Sequence, residues 1–185
     1  LIAVVDNFDS FTYNLVHYIE VYDEVIVMRN NAINEQVLHQ SKGIVLSPGP
    51  GLPHEAGDLL KVIESYYLSK KMLGVCLGHQ ALAEFFGIHL IQTGHVYHGL
   101  KRKTIQTKPC ALWHNIPKEF YCGRYHSWVV KQFIQNENIT SCAEDENGLI
   151  MAIAHKNLPI FGIQFHPESI MTDFGKQIIK NWLDV

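Results

Sequence analysis

Residues 1–5, 24–28, 43–47, 71–75 and 159–165 form short, apolar-rich runs, each followed by polar, proline or glycine positions. Unbroken apolar runs of this length mark strands covered on both faces, as in a parallel sheet, rather than strands with one wet face. Between them the periodicity changes. Leu15, Val16, Tyr18 and Ile19 recur at helical spacing after a polar stretch in which Asp9 or Ser10 can cap. Residues 34–40 read as a short helix capped by Asn34, 55–68 as a helix with Leu59, Leu60, Val62, Ile63 and Tyr66 on its apolar positions, and 80–86 as a helix stopped by Gly87. A last helix is expected over 174–185, striped by Ile178, Ile179, Trp182 and Leu183. Strand and helix therefore alternate through the first half, which predicts an α/β fold with a doubly wound, mostly parallel sheet flanked by helices. The pattern changes after Ile88. Residues 88–91, 104–106, 120–122, 128–130, 139–143 and 149–154 are short strand candidates separated by turns, including the loop Gly94 to Gly99. They predict antiparallel hairpins, a small antiparallel extension along one edge of the same domain, with residues 1–185 forming that one domain.

Composition narrows the function classes. The 185 residues are 47% hydrophobic and 18% charged, with a formal net charge of −3. That balance gives no footprint for nucleic acid, and Lys101-Arg102-Lys103 is a short solvated run. No apolar stretch is long enough for a membrane span, and the N-terminal run lacks the pattern of a signal peptide. Cys76, Cys110, Cys122 and Cys142 are widely spaced, which suggests neither a disulfide framework nor a metal site. The 11 histidines are scattered, without zinc-enzyme spacing. A reducing, cytoplasmic location is the expectation.

Candidate chemistry lies where strands end. In Gly74-Val75-Cys76-Leu77-Gly78-His79-Gln80 an apolar run meets a helix at a cysteine flanked by glycines. Such a corner exposes a sulfur near the positive end of a helix dipole. A buried cysteine in a glycine-bounded turn reads equally well from the pentapeptide Gly74–Gly78 alone. Pro48-Gly49-Pro50-Gly51 leaves the same predicted sheet edge, and its amides can approach an oxyanion closely. Asp6-Asn7-Phe8-Asp9-Ser10-Phe11-Thr12-Tyr13-Asn14 crowds the end of the first strand. His166 and Glu168 close the 159–165 run and share a face, being two residues apart in extended chain. A histidine that takes a thiol proton needs such an orienting partner. Arg124-Tyr125-His126-Ser127-Trp128 can line a pocket or serve as a strand-entry turn.

Together these segments resemble the class I, or triad, glutamine amidotransferases. Gly-Val-Cys-Leu-Gly-His-Gln at 74–80 and Phe-His-Pro-Glu-Ser at 165–169 carry the likeness, which extends from Val4 to Leu183. The Asp6–Asn14, Ser47–Gly51 and Arg124–Ser127 segments are most similar to the glutaminase component (component II) of anthranilate synthase and aminodeoxychorismate (para-aminobenzoate) synthase. The resemblance implies a flavodoxin-like fold and a Cys76, His166 and Glu168 triad that hydrolyses L-glutamine through a γ-glutamyl thioester. It implies oxyanion donors at Gly49 or Gly51 and Leu77, and a glutamine site made by Gly49, Pro50, Gly51, Gln80, Ser127 and Trp128, the last two mainly through backbone groups. It implies a chorismate-using synthase partner that needs Mg2+, with no cofactor in this chain itself. Trp128 stands where the family usually has leucine, and the wording of residues 89–103 departs from the family's, although His98-Gly99 fits. A glutaminase for another acceptor, a γ-glutamyl peptidase and a catalytically silent regulatory subunit remain alternatives at this stage.

Overall fold

The computed structural model describes residues 1–94, 99–133 and 135–185. The loop expected between Gly94 and Gly99 thus lies largely outside the described residues. Among those described, nine strands form one sheet and two more form a separate ribbon. Strands β1 (Ile2–Asp6), β2 (Val25–Arg29), β3 (Gly43–Leu46) and β4 (Lys71–Val75) pair in parallel in the order β2-β1-β3-β4. They are followed in the chain by β5 (Leu90–Gln92), β6 (Leu100–Gln106), β7 (Glu119–Arg124), β8 (Trp128–Val130), β9 (Ile139–Asp145), β10 (Ile150–His155) and β11 (Ile160–Ile163). Strand β11 pairs parallel to β4. Strands β10, β9, β6 and β7 continue the sheet antiparallel, in that order.

The helices are α1 (Thr12–Glu20), α2 (Glu35–Gln40), α3 (Leu59–Tyr66), α4 (Leu77–Phe85) and α5 (Gly175–Leu183). The two-residue period of the strands sorts the core into two layers. Ile2 and Val4 pack with Leu15, Val16 and Ile19 of α1 and Ile178, Ile179 and Trp182 of α5. Ala3 and Val5 face the other way, against Leu38 of α2, Leu59, Val62 and Ile63 of α3, and Leu77 and Ala81 of α4. Each large side chain buried this way contributes about 1.5–3 kcal/mol relative to exposure, which favours this register over a one-residue slip. No described helix is long and apolar enough to cross a membrane.

Several boundaries differ from the sequence reading, each for a local reason. Helix α1 is preceded by Phe11 with no side-chain cap. Asp9 instead accepts from the Phe11 amide at 2.7 Å, one turn too early, while Asp6 takes the Phe8 amide and the Thr12 hydroxyl. Asn34 does cap α2, its Oδ1 accepting from Gln36 and Val37. The helix expected from residue 55 is split into a 3-10 turn, Pro53–Glu55, and α3. Gly57, at φ +54°, breaks it, because there the chain lies against the Asn30 carbonyl, which accepts from the Asp58 amide at 2.8 Å. Strand β6 begins at Leu100 and absorbs Lys101-Arg102-Lys103, in which Lys101 pairs with Asp173 and Lys103 with Glu119. The expected hairpin strand near Ile88 is β5, and it pairs with β8 instead of joining the main sheet.

The turn from β4 to α4 leaves no room beyond hydrogen at its glycines. A Cβ on Gly78 would sit 2.2 Å from the Leu46 carbonyl oxygen of β3, and one on Gly74 would sit 2.4 Å from the Gly78 oxygen. Gly78→Ala is therefore expected to lower unfolding stability by about 3 kcal/mol through backbone displacement. Gly87→Ala, at φ +78° in open space, loses only about 1 kcal/mol to left-handed strain. Denaturant midpoints of the two variants test this; equal losses would contradict the crowding argument.

Candidate active site

Cys76 stands at the corner itself. Its backbone lies at φ 51°, ψ −100°, a strained conformation for a residue with a side chain, and it immediately precedes α4. Its amide donates to the Ile163 carbonyl of β11 at 2.8 Å, and its carbonyl accepts from Gln80 at 3.0 Å. Cys76 is thus clamped between the strand that delivers it, the helix that follows and the neighbouring strand. The thiol is nearly buried, at 6% exposure. Leu77, the first residue of α4, has an amide without an intrahelical acceptor, as every helix start does.

His166 arrives from the end of β11. Its backbone amide donates to the Gly123 carbonyl at 3.1 Å, and its carbonyl accepts from the Thr172 hydroxyl at 2.5 Å. The imidazole Nδ1 donates to Glu168 Oε1 at 2.6 Å, both groups buried. Nε2 is left for Cys76. Burial opposes a charge on His166, but the Cys76 sulfur, by charge and hydrogen bond, and Glu168 outweigh it and hold the imidazole well above its ordinary value of 6.5. The arrangement stores a proton on His166 beside the sulfur. Tyr125 packs edge-on against the His166 ring, centroids 4.9 Å apart, and its hydroxyl meets Ser169 Oγ at 3.2 Å.

The remaining expected residues divide. Gly49 lies where an added Cβ would be 2.5 Å from Asn7 Cβ and 2.8 Å from Leu77 Cδ2, so its loop adjoins the elbow. Gly51, at φ +76°, packs against Glu55 instead, and Pro50 is exposed. Of the two glycine alternatives for an oxyanion donor, Gly49 is the one beside Leu77. Asn7 holds this loop in place: its amide donates to Ser47 Oγ, its side chain to the Ser47 carbonyl, and its Oδ1 accepts from Asn30. Gln80 reaches Trp128, donating to its carbonyl at 2.9 Å, and His126 Nδ1 shares that carbonyl at 3.1 Å. The Ser127 carbonyl accepts from the amide and hydroxyl of Thr93. Both carbonyls are therefore engaged inside the protein, and any hold by Ser127 or Trp128 on a ligand falls to their other groups. The Trp128 side chain is partly buried.

One participant escaped the sequence reading. Gln164, fully buried just beyond β11, donates from Nε2 to Cys76 Sγ at 3.7 Å and accepts on Oε1 from Gln80. Its only sequence signal is an amide at the end of an otherwise apolar strand.

Below the elbow, His79 packs against Gly162, where a Cβ would meet its Nδ1 at 2.7 Å. Complete burial lowers His79 to about 3, so it is neutral in the fold. The unfolded chain therefore binds the extra proton as pH falls below 6.5, and folding stability falls with it. A His79→Met variant should gain on the wild type by about 2 kcal/mol between pH 8 and pH 5. Parallel stability–pH curves from denaturant unfolding would contradict this.

Comparison with known proteins agrees with this geometry. The family model for glutamine amidotransferase class-I matches residues 3–185. The chain is 43% identical to anthranilate synthase component II of Haloarcula marismortui, over 98% of this chain and 96% of that one. It is 39% identical to aminodeoxychorismate/anthranilate synthase component 2 of Bacillus subtilis, over 100% and 96%. Among solved structures, one from Thermoplasma acidophilum that carries a GMP synthase name superposes with a TM-score of 0.87 at 26% identity, over 99% of this chain and 92% of that one. With a strained cysteine at a strand–helix corner, a carboxylate-held histidine beside it and a family match over nearly the whole length, the chain belongs to the class I glutamine amidotransferases.

Proposed function

We propose that this chain is the glutaminase subunit of a chorismate-aminating synthase, a single amidotransferase domain that serves anthranilate synthesis, aminodeoxychorismate synthesis or both. The observation that carries the chemistry is the Cys76–His166–Glu168 line, with the Glu168 carboxylate 2.6 Å from Nδ1. The acceptor rests on the two relatives named above, aligned over almost their full lengths.

In this reading Cys76 attacks the side-chain amide carbon of glutamine, and the amides of Leu77 and Gly49 face the oxygen that becomes negative. His166 gives its stored proton to the departing nitrogen, which leaves as ammonia, and a γ-glutamyl thioester remains on Cys76. The neutral imidazole then takes a proton from water, whose oxygen attacks the thioester; the C–S bond breaks, glutamate is freed and the Cys76 thiolate returns beside the recharged His166. Glu168 keeps Nδ1 as the donor throughout, so that Nε2 does the transfer. Gln80, Ser127 and Trp128 hold the amino-acid end of the substrate.

Ammonia must reach an acceptor before bulk water protonates it. A cleft of about 220 Å3 opens next to His166 and Glu168, walled by Phe11, Asn14, Tyr125, Ser169 and Ile170. Its wall residues Phe11 and Ile170 are exposed, Ile170 almost completely, as are Phe8 and Tyr13 in the Asp6–Asn14 stretch and Phe174 ahead of α5. These side chains form the rim on which the synthase docks, together with the Pro48–Gly57 loop. Asp9, at the same rim, has its carboxyl raised by burial, with opposing pulls from the Phe11 amide and His166.

Three outcomes test the reading. In the assembled complex with a chorismate-using synthase, Cys76→Ser should cut glutamine-dependent product formation on the order of a thousandfold or more while ammonium salts still support synthesis. Unchanged glutamine use would refute the assignment. Glu168→Gln should lower kcat about a hundredfold and move the alkaline limb of its pH profile toward lower pH, since the carboxylate helps hold the proton on His166. An unmoved limb would separate Glu168 from that role. The isolated chain should turn over glutamine more slowly than the complex, because the synthase orders the oxyanion loop; equal rates would remove that coupling.

A further inference from the structure

Gln164 sits in a position that a plain strand end does not explain. It follows β11 directly, its backbone amide donating to the Met151 carbonyl at 2.9 Å, and its side chain is fully buried. Burying a primary amide is costly unless both ends are satisfied. Here both are, and by residues of the reaction centre. Gln80 Nε2 donates to the Trp128 carbonyl at 2.9 Å and to Gln164 Oε1 at 3.2 Å. Gln164 Nε2 donates to Cys76 Sγ at 3.7 Å, a length suited to the large sulfur atom.

The chain of bonds also decides which way each amide points. A backbone carbonyl only accepts, so the Gln80 group facing Trp128 is its NH2. That NH2 also faces Gln164, so the Gln164 atom nearest Gln80 must be the acceptor Oε1. Its NH2 is then directed at the sulfur. The orientation is inherited from a main-chain carbonyl and cannot flip without leaving an amide hydrogen against an amide hydrogen.

We infer that Gln164 is a catalytic residue of the glutaminase reaction, whose amide donates to the Cys76 sulfur and stabilises its charged form, with Gln80 locking the donor in place. A hydrogen bond to the ionised form favours that form, so it complements the positive His166 on the other side. The same bond weakens once the sulfur is acylated, which directs the benefit to the attacking and departing thiolate rather than to the thioester. The inference rests on Cys76 being the nucleophile, as in the function proposed above. Other titratable groups around the pair are His166 and Glu168 beyond β11, the neutral His79 in α4, His126 ahead of β8, and Asp9 after β1. Burial, with Arg124 and His166 nearby, lowers His126 to about 3, so it stays neutral through the range that matters.

The test is the pH dependence of Cys76 alkylation by iodoacetamide in the full-length chain, read by mass spectrometry of the Cys76 peptide so that the other cysteines do not interfere. Gln164→Met keeps the length and removes the donor; Gln164→Glu keeps the shape and places a carboxylate against the sulfur. The alkylation midpoint should rise by about one pH unit in Gln164→Met and further in Gln164→Glu, and kcat for glutamine should fall about tenfold with little change in KM. A purely structural role would not order the midpoints this way. Midpoints equal to wild type in both variants would overturn the inference. Gln80→Met, which frees the Gln164 amide while leaving it present, covers the case in which neither variant folds: its midpoint should also rise, and a wild-type value would overturn the inference. If the midpoints shift but the complex never uses glutamine, the proposed function fails while the Gln164–Cys76 bond stands. If glutamine is used and the midpoints stay put, the reverse holds.

Discussion

The contact between the Gly78 backbone and the Leu46 carbonyl is the constraint on which the site depends. Two main chains approach there to a distance that no side chain permits, and this lets α4 start immediately after β4. Cys76 then has no ordinary conformation available and takes φ 51°. Backbone strain of this kind costs about 1–3 kcal/mol and persists only where the surroundings over-determine it. Here they do. The Cys76 amide is tied to β11, its carbonyl to α4, and the strands on either side are buried in two full apolar layers. The result is a sulfur held rigidly at the carboxyl edge of the sheet, where His166 and the Gly49 loop can meet it.

Around that point the protein sets the charge of its buried histidines by their partners. His79 and His126 are kept neutral by desolvation, whereas His166, equally buried, is kept charged by Glu168 and Cys76. The difference is the partner and not the depth. A proton is therefore held on the imidazole beside the Cys76 sulfur and absent from the two others. The antiparallel strands serve the same end: the Gly123 carbonyl in β7 fixes the His166 backbone, and the β5–β8 ribbon presents the Trp128 carbonyl to Gln80.

Much of this was legible in the residues. Glycine spacing around Cys76 and the His-Pro-Glu turn are short-range signals, and the parallel half follows from unbroken apolar runs alternating with amphipathic ones. The misses have physical causes. The Lys101-Arg102-Lys103 run hid a strand because its ion pairs with Asp173 and Glu119 come from distant sequence. The α1 cap was misplaced because Asp9 spends its carboxylate on the Phe11 amide, and the structural carboxylate is Asp6. Gln164 gave no sign, since what marks it is its contacts with Gln80 on α4 and with the Cys76 sulfur. Gly49 and Gly51 were indistinguishable until the loop was seen folded against Asn7.

The central claim is that Cys76, alone among four cysteines, is the nucleophile toward glutamine. A glutamine-derived electrophile, carrying its reactive carbon in place of the side-chain amide, tests it most directly when the labelled complex is digested and mapped. The account predicts stoichiometric label on Cys76, blocked by excess glutamine, with Cys110, Cys122 and Cys142 unmodified. Label on one of those three, or on Cys76 without protection by glutamine, would contradict it.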